Sequence, residues 1–338
     1  MVIEAIVVFA IPLVVTFIAT KHVIEFLKRK NIVAPDVHKP DKPLVPRIGG
    51  IAIFIGVTSG VTAALMFFFL GYLEYLTALR ILVFYSVFSL TALVGLIDDL
   101  KVLKAKVKTA LTILGVLPLL AAGYFGVITI GRPELPIIGR LRMTLIYWLL
   151  LPLAVAAPAN AVNMLEIMNG VMPATCSFAL TAAILSALIL GGRIDAVYIS
   201  LIMLGTLLAY YWYNKYPAKI FSGDMGSLSV GAALGALAVI GRIEFIVMVT
   251  LFPHIMNAFY VISSVKGLKE RREIARPTIV KENGLIEASR NPKAPLTLAR
   301  LILAKGPLRE KEIVDAIILL ELAASIFAVF SAILMKIY

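Results

Sequence analysis

Residues 79–108 read LRILVFYSVFSLTALVGLIDDLKVLKAKVK, an apolar run that ends in two adjacent aspartates and then four lysines. A helix that crosses a bilayer needs about 20 mostly apolar residues, because lipid offers its backbone no hydrogen-bond partners. Residues 79–97 meet that length, and the charges begin where such a helix would leave the hydrocarbon. The segment therefore predicts a transmembrane helix with a charged end at the water interface.

The rest of the chain has the same character. Of its 338 residues, 61% are apolar and 15% are charged, whereas soluble domains have roughly 45–50% apolar and about 25% charged residues. This composition excludes a soluble enzyme, and the single cysteine excludes an internal disulfide. We predict an all-α polytopic membrane protein, a single domain over 1–338, with about ten transmembrane helices. Apolar runs of spanning length occur at 2–27, 48–71, 79–97, 107–128, 143–162, 171–191, 194–212, 226–240, 243–265 and 313–336.

The basic residues are distributed unevenly between the predicted loops. Ten spans place alternate loops on the same side, and one set carries 24 of the 32 Lys and Arg residues. That set consists of 28–47, 98–106 with the neighbouring Lys108, 213–225 and 266–312. Since basic loops stay in the cytoplasm, we predict that this set is cytoplasmic and that both termini are outside. Topology and contact with anionic membrane lipids explain most of the net charge of +12, so no nucleic acid partner is expected.

The last cytoplasmic loop, 266–312, is the one sizeable segment predicted to lie outside the membrane. Within it, residues 278–288 read TIVKENGLIEA, two β-prone runs around Glu-Asn-Gly. That pattern is typical of a small hairpin.

The first two polar clusters lie on the predicted cytoplasmic side, one where the second span begins and one where the third span ends. In the first, KPDKPLVPRIGG at 39–50, Arg47 is a candidate substrate-binding residue for phosphate, although a turn with an anchoring charge explains it as well. In the second, Asp98 and Asp99 end the third span and Lys108 follows. Adjacent carboxylates hold a proton or a divalent cation more readily than they stay bare. The alternative is that they pair with the lysines at the interface.

A third cluster, NAVNMLEIMNG at 160–170, supplies neutral amides. Asn160 and Asn163 are three residues apart and share a helix face, while Asn169 begins a turn. Amide oxygens are ligands for hard cations, and amides also donate hydrogen bonds to substrates. A polar helix end explains Asn169 alone but explains the Asn160 and Asn163 pair less well, so we predict Asn160 as substrate-binding.

The fourth cluster is FSGDMGSL at 221–228, where glycines flank the lone Asp224. Such a loop lets backbone N–H groups and a carboxylate meet a phosphate and its cation together. Phe221 is a candidate base-stacking platform, although a core or lipid-facing phenylalanine is commoner. Acids, amides, lysines and glycine turns on one membrane face are what phosphoryl transfer with a divalent cation requires.

These motifs resemble those of one family, the polyprenyl-phosphate N-acetylhexosamine-1-phosphate transferases. PRIGG, GLIDDL, NAVNMLEIMNG and FSGDMGSL occur in the family's order, and the last is close to its F-x-G-D-x-G-S-L signature. Within the family, the pattern at 160–170 is similar to the eukaryotic and archaeal branch, the UDP-GlcNAc–dolichyl-phosphate GlcNAc-1-phosphate transferases that begin N-glycosylation. The resemblance covers nearly the whole chain. It implies a multi-pass enzyme of the plasma membrane or endoplasmic reticulum with a cytoplasmic active site, and a homodimer is its candidate assembly.

The resemblance also implies roles for the acids. Asn163 and Asp224 would hold Mg²⁺, with Mn²⁺ as the substitute, against the donor pyrophosphate. Asp98, Asp99 and Lys108 would be the catalytic residues that position the lipid phosphate and pyrophosphate and balance their charge.

Substrate recognition follows from the same resemblance. Asn169 and Phe221 would recognise uracil, and Arg271 and Arg272 would face the sugar or its phosphate. The family's branch has Arg-His-Arg at this last position, whereas this chain has Arg-Arg-Glu.

The leading hypothesis is therefore the transfer of GlcNAc-1-phosphate from UDP-GlcNAc to a polyprenyl (dolichyl) phosphate, with release of UMP. Transfer of a different UDP-HexNAc-1-phosphate is one alternative. A secondary transporter is another, but transporters place polar groups near the middle of the membrane. A membrane prenyltransferase would need two separated aspartate-rich motifs, and this chain has one aspartate pair and a lone Asp224.

Overall fold

The computed structural model describes residues 2–267, 269 and 273–337. Nine of its helical segments are long and apolar enough to cross a membrane, and a bent helix pair has the length and composition of a tenth. The prediction of an all-α polytopic membrane protein is confirmed. The spans are α1 (Val2–Arg29), α2 (Gly50–Phe69), α3 (Tyr75–Lys101), α4 with α5 (Ala105–Leu114 and Leu117–Tyr124), α6 (Thr144–Leu165), α7 (Val171–Ile189), α8 (Ile194–Asn214), α9 (Gly223–Gly241), α10 with α11 (Glu244–Thr250 and Phe252–Ser264) and α13 (Glu310–Ile337).

The ninth span is not the unbroken helix expected from 243–265, because α10 and α11 meet at an angle of 65°. Pro253 in the first turn of α11 has no N–H to continue the α10 hydrogen-bond ladder, which favours a break there. The buried His254 follows it. Its Nδ1 lies 3.3 Å from Oε2 of Glu321 in α13, and its Nε2 lies 3.1 Å from the Thr175 hydroxyl in α7. A histidine that is isolated in the sequence thus fixes the bent span to two neighbours.

Three two-stranded antiparallel hairpins lie between the helices. The predicted hairpin is confirmed as β5 (Thr278–Val280) paired with β6 (Ile286–Ala288). The other two, which the sequence analysis did not predict, pair β1 (Val33–Pro35) with β2 (Leu44–Pro46), and β3 (Glu134–Leu135) with β4 (Gly139–Arg140). The short helix α12 (Leu298–Ile302) follows β6 and is capped by the Thr297 side chain.

Helix α9 occupies the centre of the bundle. It packs against α3 and α6, and 89% of its apolar window is buried, compared with 22% for α1. Small residues make this approach close: a methyl group on Gly95 of α3 would clash with the carbonyl of Asp224 in α9. The contact therefore brings the ends of α3 and α9, with their acids, to the same place.

Both helices run between two polar ends of the molecule. Asp98 and Arg80 are 18 residues apart on α3, which corresponds to about 27 Å at a rise of 1.5 Å per residue. Asp224 and Arg242 are equally far apart, at the start and just past the end of α9. We call the end with Asp98 and Asp224 the site end, and the end with Arg80 and Arg242 the opposite end.

Candidate active site

Lys108 is the centre of the polar cluster at the site end. Its ammonium lies 2.8 Å from Oδ2 of Asp98 and 2.8 Å from Oδ2 of Asp224, so it bridges α3 and α9. The other oxygen of Asp98 accepts the backbone N–H of Leu103 at 2.5 Å, which fixes the turn between α3 and α4. Asp98 and Lys108, ten residues apart, thus form one charged group with the distant Asp224. The pairing of Asp98 with a lysine is the contact that the alternative explanation of the aspartate pair expects.

Asn163 joins the same group from α6. Its amide nitrogen donates to Oδ1 of Asp224 at 2.5 Å and to the Ser227 hydroxyl at 2.8 Å. The predicted pair of metal ligands is therefore in direct contact, and the Asp224 carboxylate has a cation on one oxygen and an amide on the other.

Asp99 faces a different partner from its neighbour in the sequence. Its two carboxylate oxygens accept the backbone N–H groups of Asp224 at 3.1 Å and Met225 at 2.9 Å. A carboxylate in this place satisfies N–H groups that have no partner within α9 and complements the positive end of the helix. The catalytic role of Asp99 stays a prediction; its contacts are those of a helix cap that positions Asp224.

The PRIGG segment lies against the loop that carries Asp224. Gly49 and Gly50 donate backbone hydrogen bonds of 2.8 Å to the carbonyls of Phe221 and Ser222. These glycines thus allow two backbone segments to come into contact. Phe221 is partly buried and lies two residues before the first residue of α9. Arg47 is also partly buried, and its guanidinium interacts electrostatically with Asp99.

Asn160 contacts the helix that carries Lys108. Its amide nitrogen donates to the carbonyl of Ala156 at 2.8 Å and to the Thr112 hydroxyl at 3.3 Å, and its oxygen accepts from the Thr109 hydroxyl at 3.5 Å. These contacts hold α4 against α6. Substrate binding by Asn160 stays a prediction.

Asn169 belongs to a second buried group, which we call the Asp36 cluster. Its side chain donates to Oδ2 of Asp36 at 3.0 Å, and its backbone N–H donates to Oε1 of Glu310 at 3.1 Å. Lys39 binds both acids and lies 3.2 Å from Oε2 of Glu310. Burial would raise the pKa of Asp36, but the hydrogen bonds from Lys39 and Asn169 hold it below its usual range. The sequence analysis missed Asp36, Lys39 and Glu310, because their spacing in the chain gives no sign that they meet.

Glu166 is a further member of the site that was not among the predicted site residues. It follows α6, and burial raises its pKa to about 8, with the nearby charges of Asp224 and Asp99 acting in the same direction. Its position three residues after Asn163 is the signal that could have identified it. Arg271 and Arg272 lie outside the described residues.

The donors at the site end fit a hard divalent cation. Among the described residues, no group of three or more His, Cys, Asp or Glu side chains could hold a metal ion by itself. Mg²⁺, however, is usually bound by one or two carboxylates together with substrate phosphates. The carboxylates of Asp98 and Asp224 share the single ammonium of Lys108, and the side chain of Asn163 is next to Asp224. Asp224 and Asn163 are therefore suitable ligands.

The comparisons with known proteins agree with this arrangement. Residues 81–242, which carry Asp98, Asp99, Lys108, Asn163 and Asp224, match the model of "Glycosyl transferase family 4". Nearly half of the chain is thus similar to glycosyl transferase family 4. This match and the archaeal relatives described next support the resemblance seen in the motifs, including its archaeal branch.

Several relatives match most of the length of this chain. It is 28% identical over 95% of its chain, and 93% of the relative, to a Saccharolobus solfataricus protein named "Putative UDP-N-acetylglucosamine--dolichyl-phosphate N-acetylglucosaminephosphotransferase". A protein of the same name from Sulfolobus acidocaldarius is 26% identical over 94% of this chain and 92% of the relative. A bacterial relative, the phospho-N-acetylmuramoyl-pentapeptide-transferase of Nautilia profundicola, is 28% identical over 70% of this chain and 72% of its own.

Proposed function

We propose that this protein transfers GlcNAc-1-phosphate from UDP-GlcNAc to a polyprenyl phosphate, of the dolichyl type, and releases UMP. The product, polyprenyl-diphosphate-GlcNAc, would begin the assembly of a lipid-linked oligosaccharide for N-glycosylation. The names of the archaeal relatives support the donor and the acceptor.

The observation that carries the proposal is the bridge from Lys108 to Asp98 and Asp224 at the ends of spanning helices. A lipid phosphate whose tail stays in the bilayer must be recognised at such a helix end. An ammonium held there by two carboxylates is placed to pair with phosphate oxygens, while the amide of Asn163 and the carboxylate of Asp224 offer oxygen ligands on the same group.

The reaction needs little covalent chemistry from the protein. An oxygen of the lipid phosphate attacks the β-phosphorus of UDP-GlcNAc, a new P–O bond forms, the bond to the UMP oxygen breaks, and UMP leaves with that electron pair. Lys108 would stabilise negative charge on the oxygens in transit, and Asp99 would hold α9 so that Asp224 faces them. Mg²⁺, bound by Asp224 and Asn163, would neutralise the pyrophosphate.

We also propose that the site end faces the cytoplasm, as the distribution of basic residues suggests. The sugar, the length of the lipid and the choice between the plasma membrane and the endoplasmic reticulum do not alter the chemistry at the site.

The direct test is to incubate the purified protein with UDP-GlcNAc, Mg²⁺ and a polyprenyl phosphate and to measure UMP and the lipid product. We expect UMP release that requires both the lipid and the divalent cation. Solute flux without UMP release would instead indicate a transporter, and release of pyrophosphate would indicate a prenyltransferase. Release of UMP only with another UDP-HexNAc would keep the reaction and change the donor.

A further inference from the structure

A cavity of about 440 Å³ lies at the opposite end of the molecule, about 27 Å along α3 from the candidate active site. Its volume is in the range of ligand pockets, roughly 300–1,000 Å³. Its charged wall consists of four arginines, a lysine and two acids: Arg80, Arg140, Arg193, Arg242, Lys336, Glu134 and Asp195. The wall therefore carries an excess of three positive charges. None of these residues has a part in the proposed reaction.

The arginines surround the acids in an unequal way. Asp195 pairs with Arg80 at 2.6 Å, which makes a neutral pair. Glu134 in β3 alone receives three guanidinium groups: Arg140 at 2.6 Å, Arg242 at 2.7 Å and Arg193. One carboxylate cannot neutralise three cations, and it has too few lone pairs to accept all their N–H groups.

Two of the four guanidinium groups are held in place by backbone carbonyls, and the other two by Glu134, which favours a preformed site. Arg80 donates from Nε to the carbonyl of Val127 at 2.9 Å, and Arg193 donates to the carbonyl of Gly241 at 3.0 Å. Arg242 is different, because its Nε is buried and has no hydrogen-bond partner among the described residues. Burial lowers the pKa of Arg242; the charges of Arg140 and Arg193 act in the same direction, and those of Glu134 and Glu244 oppose it. A buried donor without an acceptor costs free energy that a bound anion would recover.

We propose that this cavity binds a phosphate group, either that of an anionic phospholipid headgroup or free orthophosphate. Guanidinium groups match phosphate oxygens in geometry and charge, and several of them around one anion are typical of phosphate sites. A carboxylate ligand fits less well, because Glu134 already supplies one and the excess charge remains. The cavity is at the ends of helices long enough to span a membrane, where lipid headgroups are expected, and it lies at the end of the bundle away from the site end.

The competing explanation is that the arginines only fasten the β3–β4 hairpin to the ends of α8 and α9. That explanation accounts for the three ion pairs of Glu134, but it does not explain the excess positive charge or the unpaired Nε of Arg242. The two explanations differ in one measurable respect, which is whether phosphate binds.

The test uses the full chain, purified in a neutral detergent. Binding of orthophosphate is followed by the rise in Tm, with chloride at equal ionic strength as the reference. Native mass spectrometry compares bound phosphatidylglycerol with phosphatidylcholine. The variants are Arg242→Gln and Arg140→Gln. The second keeps the test valid if Arg242→Gln does not fold, because the Arg140 side chain is 53% exposed and its replacement leaves the fold intact. Arg142→Gln is the matched control, because Arg142 is exposed in the same segment and outside the cavity.

We expect affinity for phosphate to fall by about tenfold or more in Arg242→Gln and by several-fold in Arg140→Gln, and to stay within about twofold in Arg142→Gln. Retention of phosphatidylglycerol that orthophosphate does not displace would identify the lipid headgroup as the ligand. Saturable orthophosphate binding without a preference for phosphatidylglycerol would identify the free ion. The proposal is overturned if neither probe binds the wild type, or if Arg142→Gln reduces binding as much as Arg140→Gln does.

Discussion

Replacement of Lys108 tests the centre of the candidate site most directly. Lys108→Gln keeps most of the side-chain length and removes the charge that joins Asp98 and Asp224. The side chain of Lys108 is only 18% exposed, and those of its partners are 6% and 28% exposed, so water screens the interaction weakly. Removal of the ammonium leaves two carboxylates facing each other without a counter-charge.

The magnitude follows from the two contacts of 2.8 Å. A hydrogen bond to a charged group contributes about 1.5–3 kcal/mol, and breaking a buried ion pair costs about 3–5 kcal/mol in all. Part of this loss reduces the free energy of unfolding. If the ammonium also stabilises phosphate oxygens in the transition state, a further loss of about 2.7 kcal/mol or more lowers kcat/KM by roughly 10²-fold.

The assay measures UMP release at varied concentrations of UDP-GlcNAc and of polyprenyl phosphate, with Tm recorded for each variant. Lys106→Gln is the control, since Lys106 is on the same helix and exposed. Lys108→Arg keeps the charge and should recover part of the activity. A folded Lys108→Gln protein with kcat/KM within about twofold of the wild type for both substrates would refute the reasoning. An equal loss in Lys106→Gln would show that general surface charge, not the bridge, is responsible.

Three other predictions follow from the structure. Asp99→Asn should lower the free energy of unfolding by about 1 kcal/mol, because it weakens the cap of α9, and the loss should be visible as a lower Tm. Asp224→Asn should mainly lower turnover, by roughly 10²-fold or more. Near-normal UMP release by a folded Asp224→Asn protein would contradict the role of Asp224. In the folded protein the pKa of Asp36 is lowered from its ordinary value of 3.8. Its contribution to stability is therefore complete above about pH 4 and is lost as the pH falls through the folded pKa. The difference in Tm between the wild type and Asp36→Asn should shrink on acidification, and a constant difference would argue against the ion pair. Cysteines introduced within 281–293 should react with an impermeant thiol reagent only in inside-out vesicles, and labelling from outside would reverse the proposed orientation.

The sequence was sufficient for the spans and for the charged centre of the site. Long apolar runs have few alternatives in a membrane, so nine spans and the bent tenth lie close to the predicted ranges. Asp98, Lys108 and Asp224 could be assigned to one membrane face from the sequence, because each is a charge at the end of an apolar run, where only the interface can accommodate it.

What the sequence could not predict depends on contacts between distant segments. Nothing in the spacing of Asp36 and Glu310 indicates that they share Lys39, and nothing in DD indicates that Asp98 binds an ammonium while Asp99 caps another helix. Nothing near Gly49 and Gly50 in the sequence indicates that the backbone they touch belongs to Phe221 and Ser222. The motif letters identify which residues matter; the packing of α3 on α9 determines what each one does.

The central position of α9 has a consequence for how the protein is made. Among the nine unbroken spans described, α9 has the lowest mean hydropathy, 1.5, and little of its surface is left for lipid. Partition into the bilayer therefore drives its insertion weakly, and contact with other helices must supply the rest. Its two main partners, α3 and α6, precede it in the chain and leave the ribosome earlier. The two helices that pack against α9 are thus inserted before α9 is synthesised, and Asp224 reaches Lys108 only when α9 has packed against them.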